Sequence, residues 1–278
     1  MKKQIENFEV VGVVGNPQES RVFLVEHMEG RKRFALKALP MDFFDSEREF
    51  RIFSETVDQK IAPLKSPNIV KYYKLMGKYT EPFLLTEYVE GINLRAYVDN
   101  QIHPFPELLS VALQIMRGVQ YLHTQKIIHQ NLKASNILLD PNLSVKLTDF
   151  FFSKLFNRWR KRRGYPSVET VRYFSPEQVK QKSLNERSDI YSLGVVLFYL
   201  FTRVMPIRGG SIHELGQKHL RMKVVEVPST INAEVPPEIS RVIMQMLEKK
   251  PRKRLSSLSE LILDLTRMEQ NHKKRLTI

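Results

Sequence analysis

The chain has 278 residues, long enough to bury a large core as one domain or as two lobes sharing a cleft. It holds no cysteine, which excludes a disulfide framework and a thiolate metal site and is compatible with a reducing compartment. Lys and Arg number 44 against 30 Asp and Glu, and the formal charge of +14 favours anionic partners (nucleic acid, acidic lipid, phosphoprotein or nucleotide) without choosing among them.

In chain order, Met1–Val10 carries two lysines with no apolar stretch behind them, which argues against a secretory signal. Phe8–Val14, Arg21–Val25 and Arg33–Leu39 are rich in β-branched and aromatic residues and are separated by turn-forming stretches, which predicts three antiparallel strands. Apolar residues at 43, 44, 50, 53 and 57 trace a stripe that predicts a helix over Phe43–Val57. Ile69–Leu75 and Phe83–Tyr88 add two more strands, so the first 88 residues or so form a small lobe of five strands and one helix. From Leu94 onward the pattern turns helical. Pro106–Thr124 is a long helix with its proline tolerated in the first turn, and Arg187–Thr202 is apolar almost all round, as a buried central helix should be. Further helices are predicted near Ser211–Met222, Pro237–Glu248 and Ser257–Gln270. The longest apolar run, Leu193–Phe201, is too short to span a bilayer, and a soluble, cytoplasmic protein is expected. The fold class is α+β: one domain over 1–278, with a small lobe to about 88, a mainly helical lobe to about 268 and a basic tail at 269–278.

Two turns in the second lobe carry the chemistry. Asn136 and Asp149 each sit beside a short apolar strand-like run, Ile137–Leu139 and Val145–Leu147, and both are hard oxygen ligands of the kind Mg²⁺ accepts. Lys133, three residues before Asn136, supplies a fixed positive charge for a phosphoryl group.

The spacing His129-x-x-Leu-Lys133-x-x-Asn136, followed by Asp149-Phe150, resembles the catalytic loop and metal-binding turn of eukaryotic-type protein kinases. Phe34-Ala-Leu-Lys37, Leu84–Gly91, Arg172–Glu177 and Asp189–Gly194 match further motifs of that family in the same order, over about residues 8–268. The resemblance implies a two-lobed kinase-like fold that takes ATP and Mg²⁺. It implies that Lys37 holds nucleotide phosphates with Glu49 as its helix partner, Glu47 being second, and that Asn136 and Asp149 hold the metal. The backbone at Glu87 and Val89 would meet the adenine edge, Thr86 would guard the back pocket, and Val22, Ala35 and Leu138 would sandwich the base. Arg254 would pair with Glu177, and Lys133 with Thr170 favours the serine/threonine branch.

Four departures bear on activity. The family's catalytic Asp is Asn131, the Arg before it is Gln130, and the Gly after Asp-Phe is Phe151. Of the three glycines in the phosphate-covering loop only Gly15 remains, with Pro17 and Ser20 at the other two positions, which predicts weakened phosphate affinity. An Asn amide can orient an acceptor hydroxyl but cannot take its proton. General-base catalysis is typically worth ~10²–10⁴ in rate, so a kinase turnover of about 1–100 per second would fall to roughly 10⁻⁴–1 per second. Without the arginine at 130, switching by an activation-loop phosphate is not expected. Three functions stay open: a pseudokinase acting as scaffold or allosteric partner, a slow serine/threonine kinase, and a basic docking module on an inert kinase fold.

The third rests on one stretch, where Lys154, Arg158, Arg160, Lys161, Arg162 and Arg163 crowd together and Phe152, Leu155, Phe156 and Trp159 fall on one helical face. It reads either as a solvated basic loop folding its apolar residues onto the small lobe, or as an amphipathic basic helix docking on acidic protein, anionic membrane or RNA.

Overall fold

Alternation with period two sorts the strand side chains of the small lobe onto the two faces of one antiparallel sheet. The computed structural model describes residues 4–14, 21–150, 166–224 and 226–275. Its first sheet runs in the order β1-β2-β3-β4-β6-β5, with β1 at Gln4–Ile5, β2 at Phe8–Val14, β3 at Val22–His27, β4 at Arg33–Ala38, β5 at Tyr72–Lys78 and β6 at Glu81–Glu87. The five expected strands are present, and the two-residue β1 extends one edge to make six. Leu36, Phe83 and Leu85 join Phe8, Val25 and Met76 in a small core on one face. Their sequence neighbours look the other way: Val22 is opposite Lys37, Lys37 opposite Leu84, and Ala35 opposite both Leu24 and Thr86. Val22, Ala35, Lys37 and Thr86 therefore share one face, and Leu84 on that same face belongs to the large core that continues into the second lobe.

Helix α1 spans Glu47–Thr56 rather than starting at Phe43. Ser46 stops it: its backbone is extended and its hydroxyl accepts from the Glu49 amide at 3.3 Å, which makes it the N-cap. Phe43 and Phe44 extend the apolar period but lie before the cap, packed edge-on against each other and buried beside Phe53.

A second, three-stranded sheet of β7 (Ile92–Asn93), β8 (Ile137–Leu139) and β9 (Val145–Leu147) carries the two chemistry-bearing turns. Around it, among the described residues, lie α2 (Leu94–Asn100), α3 (Phe105–Thr124), α4 (Val168–Val171), α5 (Pro176–Val179), α6 (Glu186–Thr202), α7 (Ile212–Arg221), α8 (Pro228–Ile231), α9 (Pro237–Met246) and α10 (Ser259–Arg275). Every residue of α6 from Ser188 to Thr202 is buried, as its uniform apolarity requires. Among the described residues no helix is long and apolar enough to cross a membrane.

Gly194 lets α6 and α9 approach closely, since a Cβ there would lie 2.7 Å from Met246 Cβ. Gly194→Ala gains about 1 kcal/mol of helix propensity. It forces an overlap worth about 1–3 kcal/mol in a packed core, and so close a contact with another Cβ calls for the upper part of that range. We expect a net loss of about 1–2 kcal/mol, read as a lower midpoint in a denaturant melt; an unchanged midpoint would mean that the helices separate freely.

Candidate functional site

The floor of the site is laid by one buried carboxylate. Asp189, at the start of α6, is 1% exposed. Its Oδ2 accepts from the His129 amide at 2.7 Å and lies 2.9 Å from His123 Nε2, while Oδ1 accepts from the Gln130 amide at 2.8 Å. Two backbone donors and an imidazole thus satisfy a charge that burial would otherwise make costly. They also hold Gln130 at φ 61°, a left-handed position that turns the chain sharply into Asn131. The Asn131 amide then donates to His129 Nδ1 at 3.4 Å, and its carbonyl accepts from Asn136 Nδ2 at 2.8 Å. Asn136 closes the loop by accepting at its carbonyl from the Thr148 amide at 3.0 Å, which draws the second turn against the first.

That second turn is aimed from beneath. Asp149 has φ 62°, its amide donates to the Tyr72 hydroxyl at 2.9 Å, and Phe150 is fully buried edge-on to the Tyr72 ring at 5.0 Å. With Phe150 held inward, the Asp149 carboxylate faces the sheet, where Oδ2 lies 2.5 Å from Lys37 Nζ. Burial alone would raise the Asp149 pKa, but the cations of Lys37 and Lys133, with His129, hold it below the ordinary carboxylate value. His129 itself is lowered, chiefly by burial. Lys133 Nζ donates to Thr170 Oγ1 at 3.4 Å, joining the turn before Asn136 to α4, whose N-cap is Ser167.

Glu49, the expected partner of Lys37, lies in the first turn of α1, where its Oε2 accepts from the Asp45 amide at 2.9 Å and its charge is favourable beside the helix N-terminus. Asn136 donates through Nδ2 to the Asn131 carbonyl and Asp149 meets Lys37 through Oδ2, and the Oδ1 atoms of both make no hydrogen bond among the described residues. Two such oxygens, one anionic, suit a hard cation that keeps waters and phosphate oxygens as its other ligands. The residues present therefore fit Mg²⁺ bound together with a nucleotide.

The sheet register places Val22 and Ala35 on the Lys37 face, and Thr86 Oγ1 lies 3.4 Å from the Ala35 carbonyl and 3.3 Å from that of Glu87. Glu87 ties the lobes: its Oε1 accepts from the Lys71 amide at 2.7 Å and from Lys146 Nζ on β9 at 2.9 Å. Leu138, paired with Asn93 and Lys146, and Val89 both pack partly buried against the large core. Gly91, at the end of the Leu84–Gly91 stretch, lies so close to β8 that a Cβ would lie 1.9 Å from the Leu139 carbonyl oxygen. Gly15, Pro17, Ser20, Phe151 and the basic stretch from Lys154 through Arg158, Trp159, Arg160, Lys161, Arg162 and Arg163 lie outside the described residues.

Arg254, 3% exposed, bonds Glu177 through both ends of its guanidinium, at 2.6 and 3.0 Å. Gln178 Nε2 donates to the Gln130 carbonyl at 2.9 Å, so α5 grips the catalytic loop directly. Sequence reasoning did not assign roles to Asp189, Tyr72 or Gln178. An acid opening an otherwise apolar helix is a signal that could have singled out Asp189; nothing local marks the other two.

A family model described as "Protein kinase domain" matches residues 8–266. Serine/threonine-protein kinase PrkC of Bacillus subtilis is 30% identical over 278 residues, covering 98% of this chain and 42% of that protein. Serine/threonine-protein kinase PknB of Mycolicibacterium smegmatis is 28% identical over 273 residues, covering 95% of this chain and 43% of that protein. The chain thus spans less than half the length of these curated relatives. The crystal structure of the Mycobacterium tuberculosis PknI kinase domain superposes with a TM-score of 0.72 at 19% identity, covering 96% of this chain and 98% of that one, a likeness of fold.

Proposed function

The chain belongs to the protein kinase domain family, and from that membership we propose that it binds ATP with Mg²⁺ and is a slow serine/threonine protein kinase. The observation that carries the proposal is the 2.5 Å pairing of Lys37 with Asp149, which brings together a phosphate-holding cation and a metal-holding anion from different lobes. Bound Mg-ATP supplies the phosphoryl donor and much of the charge neutralisation. Lys37 binds phosphate oxygens, while Asp149, ionised at neutral pH, and Asn136 hold the metal. Lys133, bonded to Thr170, sets a positive charge where the acceptor hydroxyl approaches. Asn131 orients that hydroxyl through its amide oxygen and leaves the proton to solvent, which keeps turnover low. Dependence on ATP implies a domain facing the cytoplasm.

A second function, nucleotide-binding scaffold without transfer, is favoured by Asn131 together with Phe151 and the loss of two glycines at Pro17 and Ser20. Thermal melts with ATP and Mg²⁺, followed by transfer of radiolabelled phosphate to a protein acceptor, separate the two. With ATP at a hundredfold its Kd the stabilisation is about 2.7 kcal/mol, and it should vanish in Lys37→Ala and Asp149→Asn. Transfer that Lys37→Ala abolishes supports the kinase; a melting shift without transfer supports the scaffold; no shift overturns both.

A further inference from the structure

We propose that a basic groove on the helical lobe, behind the catalytic loop, binds an acidic peptide segment of a protein partner. The groove has a volume of about 810 Å³ and is built where the end of α3, the start of α6 and the turn before α10 converge. Lys126, Arg187, Lys250 and Arg252 line it. None of the four makes a side-chain ion pair among the described residues, although the chain forms many elsewhere. Among the described residues Glu186 is the one carboxylate in the lining, so the cations there outnumber it four to one. The N-terminus of α6, at the same place, adds a positive partial charge. Lys126 moreover stands at φ 59° just past α3, a left-handed position where glycine is favoured.

The lining also selects among anions. Ile128 and Pro251 give the groove an apolar component that a peptide side chain can cover and a free phosphate cannot use. Among the described residues no aromatic ring lines it, so stacking of unpaired nucleic-acid bases finds no platform there. It is concave and lacks the exposed apolar and aromatic face with which a protein lies on a lipid surface. A segment with carboxylates interspersed with aliphatic residues meets both requirements. Its seat adjoins two working parts: Ile128 lies three residues before Asn131, and the Arg187 carbonyl accepts from Arg254 at 2.7 Å.

The test is fluorescence anisotropy with a short labelled peptide of alternating Glu and Leu, and with its Gln and Leu counterpart. The wild-type chain should bind the first and not the second. Lys126→Glu combined with Arg252→Glu should weaken binding roughly tenfold or more, while Lys74→Glu, an exposed reversal on the small lobe, should leave it unchanged. Both groove side chains are exposed, and an unaltered melting temperature will confirm that the double variant folds; if it does not, Lys126→Gln with Arg252→Gln gives the same comparison with smaller losses. Equal binding by wild type and the double variant, or equal loss in Lys74→Glu, overturns the proposal. So does groove-dependent binding of single-stranded RNA or phosphatidylserine vesicles in place of the peptide.

Discussion

Asn131→Asp is expected to raise phosphate transfer by roughly 10²–10⁴-fold, the contribution of a positioned general base. The substitution exchanges an amide NH₂ for a carboxylate oxygen of nearly the same shape. It leaves the loop undisturbed because the backbone around position 131 is held by other groups: His129 and Gln130 donate to Asp189, and the Asn131 carbonyl accepts from Asn136 Nδ2 at 2.8 Å. The nearby Lys133 cation favours the ionised form of the new acid. Radiolabelled transfer to a protein acceptor, measured in a single turnover so that product release does not mask the chemical step, reads the change. Adding Lys37→Ala to Asn131→Asp should return the rate to background. A rate that does not move would mean that proton acceptance at this position is not what limits transfer.

Arg254→Ala is expected to cost about 3–5 kcal/mol of folding stability, the loss typical of breaking a buried ion pair from one side. The guanidinium donates to both Glu177 oxygens, to the Arg187 and Glu248 carbonyls at 2.7 Å each and to the Lys249 carbonyl at 3.2 Å. It also lies 4.9 Å from the centroid of the Tyr191 ring. Its removal would leave a nearly buried carboxylate with Ser188 Oγ, at 2.9 Å, as its remaining partner among these groups. Glu177→Ala should be nearly as costly, and the double variant should lose less than the sum, because each single change strands the other charge. Urea melts of the three variants decide it; strict additivity would show that the pair contributes nothing as a pair. The loss reaches the catalytic loop as well, since α5 carries both Glu177 and the Gln178 amide that binds the Gln130 carbonyl.

Much of the fold is legible along the chain because strand alternation and helical stripes are short-range patterns. Phe8–Val14 is predicted to the residue, and the central helix differs from its expected start by one position. The helix of the small lobe shows where such patterns mislead: Phe43 and Phe44 continue the stripe, yet the Ser46 cap decides the boundary. Spacing likewise picks out Lys37, Lys133, Asn136 and Asp149 as a set, because each belongs to a motif readable within about ten residues.

What the amino-acid order determined by itself is the inventory: the lobes, their elements, the residues proposed to hold phosphate and metal, and the asparagine at 131 where the family has an acid. What only the tertiary structure decided is the pairing. Lys37 meets a carboxylate 112 positions away, and Asp189 turns from an acid in a helix into the brace of the turn that leads into Asn131. The physical reason is that a charge is satisfied by whichever opposite group folding brings within about 3 Å, and that distance depends on packing between lobes, which no local pattern encodes.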